Sequence, residues 1–136
     1  MPGAALDDYE ALANFRYLLR QFLRFSKDVL RDSADLNPEQ YEALLAIKAF
    51  ESPAGLTISQ LSERLQVKHH SAVNIVDRLA GKKLIIRAPG ETDRRRRHLS
   101  LTQKGEHVIH QLAGIHRKEI RGRSVEMIKA LERLRK

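Results

Sequence analysis

Residues 84–102 change the period of the chain, and that change limits what it can fold into. Leu84-Ile85-Ile86-Arg87 is a short apolar run with β-branched side chains, which predicts a strand. Ala88-Pro89-Gly90-Glu91-Thr92-Asp93 is turn chemistry. Arg97-His98-Leu99-Ser100-Leu101 then alternates polar and apolar, the period of a half-buried return strand. The sequence on either side of this hairpin repeats at helical spacing.

A helical pattern spans residues 7–31 through Tyr9, Leu12, Leu19, Phe22, Leu23 and Leu30, with Phe15, Leu18 and Phe25 outside the narrowest stripe. A helix apolar on more than one side predicts two packing partners. Asn37-Pro38-Glu39-Gln40 and Thr57-Ile58-Ser59-Gln60 are capping boxes. They open helices that run to about Phe50 and to Leu65. A fourth helix spans about 68–80, with Ala72, Val73, Val76, Leu79 and Ala80 inward, and Gly81 suits its C-terminus. Thr102 caps a helix over about 103–121, Gly122 breaks it, and a last helix covers 124–135. The fold class is mainly α, ordered α-α-α-α-β-β-α-α.

Charge narrows the function. The chain carries 25 basic and 17 acidic residues, a net charge of +8. Residues 68–97 hold nine basic side chains against three acidic ones, so the excess is local, as on a polyanion-binding face. Four of the nine are the consecutive Arg94, Arg95, Arg96 and Arg97 at the hairpin tip and on its second arm. Adjacent guanidinium groups repel one another and have no use in a packed core. Aromatic content of 5% argues against a base-stacking platform for single strands. With no cysteine, disulfides, thiolate metal sites and thiol redox sensing are excluded. There is no apolar run of membrane-spanning length and no secretory leader pattern, so a cytoplasmic protein without membrane contact is expected. No Gly-x-Ser-x-Gly elbow or phosphate-binding glycine loop is present, and an enzyme with a cofactor is not expected.

Two short helices followed by a hairpin form the layout of a winged helix-turn-helix, whose second helix enters the major groove of duplex DNA. Lys68, His69, His70, Ser71, Asn74 and Arg78 are polar on that helix, with 70, 74 and 78 one turn apart. These side chains hydrogen-bond base edges or phosphates. Arg94 and Arg95 at the hairpin tip suit a narrow minor groove, Arg96 and Arg97 suit phosphates, and Asp93 is expected to brace the tip. Asp77 reads as an ion-pairing residue rather than a DNA contact. His107 and His110 share a helix face while His116 lies about half a turn away, so no metal set is placed. The aromatics Tyr9, Phe15, Tyr17, Phe22 and Phe25 read as packing residues, with room for a pocket between Tyr17 or Phe22 and the second helix.

At this level of detail the chain resembles the MarR-type transcriptional regulators. Their wing motif, Asp-x-Arg followed by Leu-Thr, stands here as Asp93, Arg95, Leu101 and Thr102, with Lys104-Gly105 after it. Val76-Asp77-Arg78-Leu79, Gly81 and Leu84-Ile85-Ile86-Arg87 also resemble that family's exit from the recognition helix. The resemblance implies one domain over 1–136, with a DNA-binding lobe at 38–102 and a helical dimerisation region from 7–31 and 103–135. It further implies a homodimer on a pseudo-palindromic operator and repression relieved by a small aromatic effector. Two other readings share the charge pattern: a sequence-independent architectural DNA-binding protein, and a winged helix used for protein interaction.

Overall fold

The computed structural model describes residues 6–88 and 98–136. Its elements are α1 (Leu6–Ala34), α2 (Pro38–Ala49), α3 (Ile58–Leu65), α4 (His69–Gly81), β1 (Ile85–Ala88), β2 (His98–Leu101) and α5 (Gln103–Arg135). The architecture is mainly helical with one antiparallel hairpin, as the change of period predicts. Asp93, Arg94, Arg95, Arg96 and Arg97 lie outside the described residues.

Both capping boxes form. Asn37 accepts from the Gln40 amide at 2.8 Å while the Asn37 amide donates to the Gln40 side chain at 3.0 Å. Thr57 and Gln60 do the same at the start of α3. Each box satisfies two amides that an α-helix leaves without partners at its first turn.

Helix ends are less legible. Asp35, Gln66 and Lys83 adopt left-handed backbone (φ 52°, 55° and 62°). At each, two reversed amide–carbonyl bonds close the preceding helix, as in Leu36 to Leu30, Val67 to Ser62 and Leu84 to Leu79. Glycine is the usual residue there, and its absence hides these stops from the sequence. At the end of α4 the left-handed turn falls on Lys83, two residues beyond Gly81.

The break expected at Gly122 does not occur. Helix α5 runs unbroken for 33 residues, and the order is α-α-α-α-β-β-α. One internal glycine costs about 1 kcal/mol relative to alanine, too little to end a helix anchored along its length. Arg123, beside it, holds Glu119 one turn back at 2.8 Å and reaches Gln21 of α1 at 3.2 Å. Helices α1 and α5 pack together extensively.

The core lies between the end of α1, α2, α3, α4, the hairpin and the first half of α5. Leu30, Leu44, Ile47, Leu61, Val76, Leu79, Ile85 and Leu99 are its largest fully buried side chains; burying each contributes roughly 1.5–3 kcal/mol. On α4 the buried set is Ala72, Ile75, Val76 and Leu79, whereas Val73 is only half-buried. The core stripe therefore sits one position to the side of the expected one. Strands β1 and β2 pair Ile85 with Leu101 and Arg87 with Leu99. A further bridge, Leu99 amide to Leu56 carbonyl at 2.8 Å, ties the hairpin to the loop before α3.

Candidate nucleic-acid interface

Helix α4 is held by its buried stripe, which fixes which face it presents outward. Lys68, His69, His70, Asn74 and Arg78 are exposed and Ser71 is half-buried. Lys68 is the N-cap residue, and its carbonyl accepts from the Ser71 and Ala72 amides. The remaining residues occupy the first turn and the exposed ridge 70–74–78. No acidic side chain lies in the first turn. None of the six side chains forms a hydrogen bond or ion pair with another described residue, so their polar atoms are available to an external partner.

Asp77, the one carboxylate on this helix, is engaged elsewhere. Arg87 of β1 donates to it. The pair offsets the negative charge beside the His70–Asn74–Arg78 ridge and couples α4 to the first arm of the hairpin. The Arg87 Nε is buried without a partner among the described residues, so the guanidinium depends on Asp77.

The hairpin is anchored from its base. The Thr102 amide donates to the Leu84 carbonyl at 3.0 Å, and its hydroxyl donates to the Lys83 carbonyl at 2.6 Å. The same hydroxyl accepts the Gly105 amide at 3.0 Å, which caps α5. Leu99 and Leu101 are buried beneath the strand. The Leu-Thr half of the wing motif is thus a joint between β2, the exit of α4 and the start of α5. Its Asp93–Arg95 half falls outside the described residues.

The histidines separate. His107 and His110 are exposed on α5, while His116 is buried between α1, α2 and α5. Its ring stacks on Tyr41 at 4.4 Å between centroids, with Phe22 and Phe25 edge-on at 6.1 and 6.2 Å. Among the described residues no group of three His, Asp or Glu side chains could hold a metal ion. No described helix is long and apolar enough to cross a membrane. Phe22, Tyr41 and His116 thus fill the expected junction between α1 and α2 as a packed cluster, a use for His116 that its position on the polar-rich α5 sequence does not announce.

Residues 34–96 match the model of the MarR family. Among solved structures, the chain is similar to MepR, a transcription regulator of the Staphylococcus aureus multidrug efflux pump MepA. The two share 25% identity over 79% of this chain and 77% of that one, with a TM-score of 0.70. The Staphylococcus aureus MepR–DNA complex matches at 25% identity over 84% of this chain and 80% of that one, with a TM-score of 0.70. The transcriptional regulator BldR from Sulfolobus solfataricus shares the fold at 21% identity, covering 87% and 83% of the two chains at a TM-score of 0.69. Curated proteins yield no match.

Proposed function

We propose that this chain is a MarR-family regulator, the family whose model matches residues 34–96, and that it is a homodimeric, sequence-specific binder of duplex DNA that represses transcription. The observation that carries this reading is the α4 ridge. Six polar or basic side chains stand there without partners among the described residues, and the helix's one carboxylate is held in the Asp77–Arg87 pair. Helix α4 reads base edges through His69, His70, Ser71 and Asn74. Lys68 and Arg78 hold phosphates at either end, and Arg94 to Arg97 of the hairpin grip the minor groove and backbone, with Asp93 as their brace. The DNA-binding lobe is 38–102.

The dimer reading draws on apolar side chains left exposed on the helices outside that lobe. Leu12 and Leu23 of α1 and Ile120, Val125, Ile128 and Leu131 of α5 are all at least 47% exposed. Apolar area of this extent is usual where a second subunit covers it. Residues 7–31 and 103–135 form that dimerisation region. Two α4 helices then meet a pseudo-palindromic operator with half-sites about one helical turn apart. A small aromatic effector is part of the same reading. So is a cytoplasmic location, where a chromosomal repressor works.

The test is selection of binding sites from random duplex DNA, followed by titration of the recovered site and a scrambled one at several salt concentrations. A two-fold symmetric motif bound at least a thousandfold, roughly, above the scrambled duplex supports the proposal. Equal affinity for both, with a steep salt slope, would leave only an architectural binder. Replacing Arg95 with alanine weakens binding while the dimer stays folded; unchanged affinity removes the hairpin from the interface.

A further inference from the structure

Outside the winged helix, the exposed face of α1 carries Arg16, Arg20, Arg24, Lys27 and Arg31. Their spacing of 4, 4, 3 and 4 residues keeps all five within an arc of about 80° over about 22 Å of helix. The acids of the same helix that flank them, Asp28 and Asp32, lie to one side of this arc. Of the five cations only Arg31 has carboxylate partners among the described residues, namely Asp28 and Asp32. Like charges one turn apart destabilise a helix by a few tenths of a kcal/mol per pair. A one-sign stripe therefore makes sense against an external polyanion.

The lower end of the stripe opens into a cleft of about 500 Å³ between the end of α1, the start of α2 and the end of α4. Lys27 and Arg31 line it from α1, and Arg78 and Lys82 line it from the recognition helix. Its walls are tied to one another. The left-handed turn at Asp35 is closed by the Leu36 to Leu30 bond. Lys82 Nζ donates to the Asp35 carbonyl at 2.6 Å and meets its carboxylate at 3.3 Å. The N-terminus of α2 adds its positive dipole end. Leu36 and Pro38 are the apolar lining residues, Asp35 is the one acidic one and is paired with Lys82, and no aromatic side chain is present, so with four cations to one carboxylate the chemistry suits a phosphate rather than a ring-bearing effector.

We propose that this cleft seats a DNA backbone phosphate beyond the end of the recognition helix, and that the α1 stripe continues the contact along flanking DNA. The inference rests on the DNA-binding reading above and extends the footprint to a helix outside the winged helix, along an arc that borders the Leu12 and Leu23 edge given above to the second subunit. Arg78 joins the two surfaces, because it stands both on the α4 ridge and in the cleft wall.

The experiment measures affinity against salt for the intact protein and for an Arg24→Ala/Lys27→Ala variant, on the selected duplex and on a scrambled one. Both positions are exposed in mid-helix, so alanine preserves the fold, and a circular dichroism melt verifies this. The log–log salt slope is expected to shrink by about two. The ratio of specific to scrambled affinity stays the same, since phosphate contacts carry no sequence information. A Lys27→Glu variant weakens binding further. A slope identical to that of the unaltered protein overturns the α1 contact while leaving the α4 reading intact. Retained slope together with stripe-dependent binding to phosphatidylglycerol vesicles assigns the stripe to a lipid surface and also overturns it. Failure of the unaltered protein to bind any duplex removes both readings together.

Discussion

Nε2 of His116 on α5 lies 2.8 Å from the hydroxyl of Ser26 on α1. Nδ1 of the same ring faces the Leu112 carbonyl at 2.7 Å. A carbonyl only accepts, so Nδ1 carries the hydrogen, and in the neutral ring Nε2 then accepts from Ser26. Both partners are buried. Changing Ser26 to Ala leaves a buried acceptor without a donor and should lower stability by about 1–3 kcal/mol. A urea titration of the single variants and of the Ser26→Ala/His116→Leu pair measures the coupling. Additive losses would sink the idea that this bond locks α1 to α5.

Tyr41, stacked on that ring, supplies a pH dependence. Burial raises its phenol above the ordinary value. The unfolded chain therefore loses the phenolic proton first as pH rises. Stability attributable to this group is complete below pH of about 10 and declines as pH climbs from there towards the raised value. Replacing Tyr41 with phenylalanine keeps the stacked ring and removes the titration. Thermal melts at alkaline pH should show the Tyr41→Phe variant holding its midpoint better than the parent, with little difference at neutral pH.

Gly105 sits where α5 starts against the exit of α4. A Cβ placed there would lie 2.1 Å from the Leu84 carbonyl oxygen and 3.0 Å from its carbon. The obstruction is backbone, and that backbone is held by the Thr102 amide and, one residue earlier, by the Thr102 hydroxyl. Gly105→Ala should cost about 1–3 kcal/mol or more, as overpacking does. The urea midpoint falls with an unchanged slope if the fold is retained. A Gly122→Ala control, where nothing lies within 4 Å of the added carbon, should gain up to about 1 kcal/mol in helix propensity.

Asp77 and Arg87 join α4 to the hairpin. Both are partly exposed, so Asp77→Asn should change stability by about 1 kcal/mol or less. Its effect should fall on the hairpin's orientation. Hydrogen exchange at the β1 amides should quicken, and DNA affinity should drop roughly tenfold, equivalent to about 1.4 kcal/mol. Full affinity in the Asp77→Asn variant would mean that the ion pair serves neither purpose.

Local chemistry wrote much of this protein openly. The capping boxes at Asn37–Gln40 and Thr57–Gln60, the helix cap at Thr102 and the strand periods of the hairpin depend on neighbours within a few residues, so they read directly from the chain. The exposed ridge of α4 follows from the same short-range periodicity. Gly122 misleads because glycine's helix cost is local, whereas the hold of α1 on α5 through Arg123 and Gln21 spans 102 residues. Asp35, Gln66 and Lys83 end helices without glycine because a reversed hydrogen-bond pair and the packing that follows outweigh the left-handed strain.

What the sequence determined by itself was the kind of molecule: helices with one hairpin, a helix with a polar outer ridge, and a local excess of positive charge at residues 68–97. The tertiary structure decided which distant groups meet. It brought Asp77 to Arg87, the Leu84 carbonyl to Gly105, and Ser26 to His116. It also placed the α1 cations beside Arg78 and Lys82. Near charge balance over the rest of the chain conceals that stripe, because a sum over sequence cancels charges that a helix sorts onto separate faces. Ion pairing, close packing and surface potential depend on distance in space, and only the folded chain sets those distances.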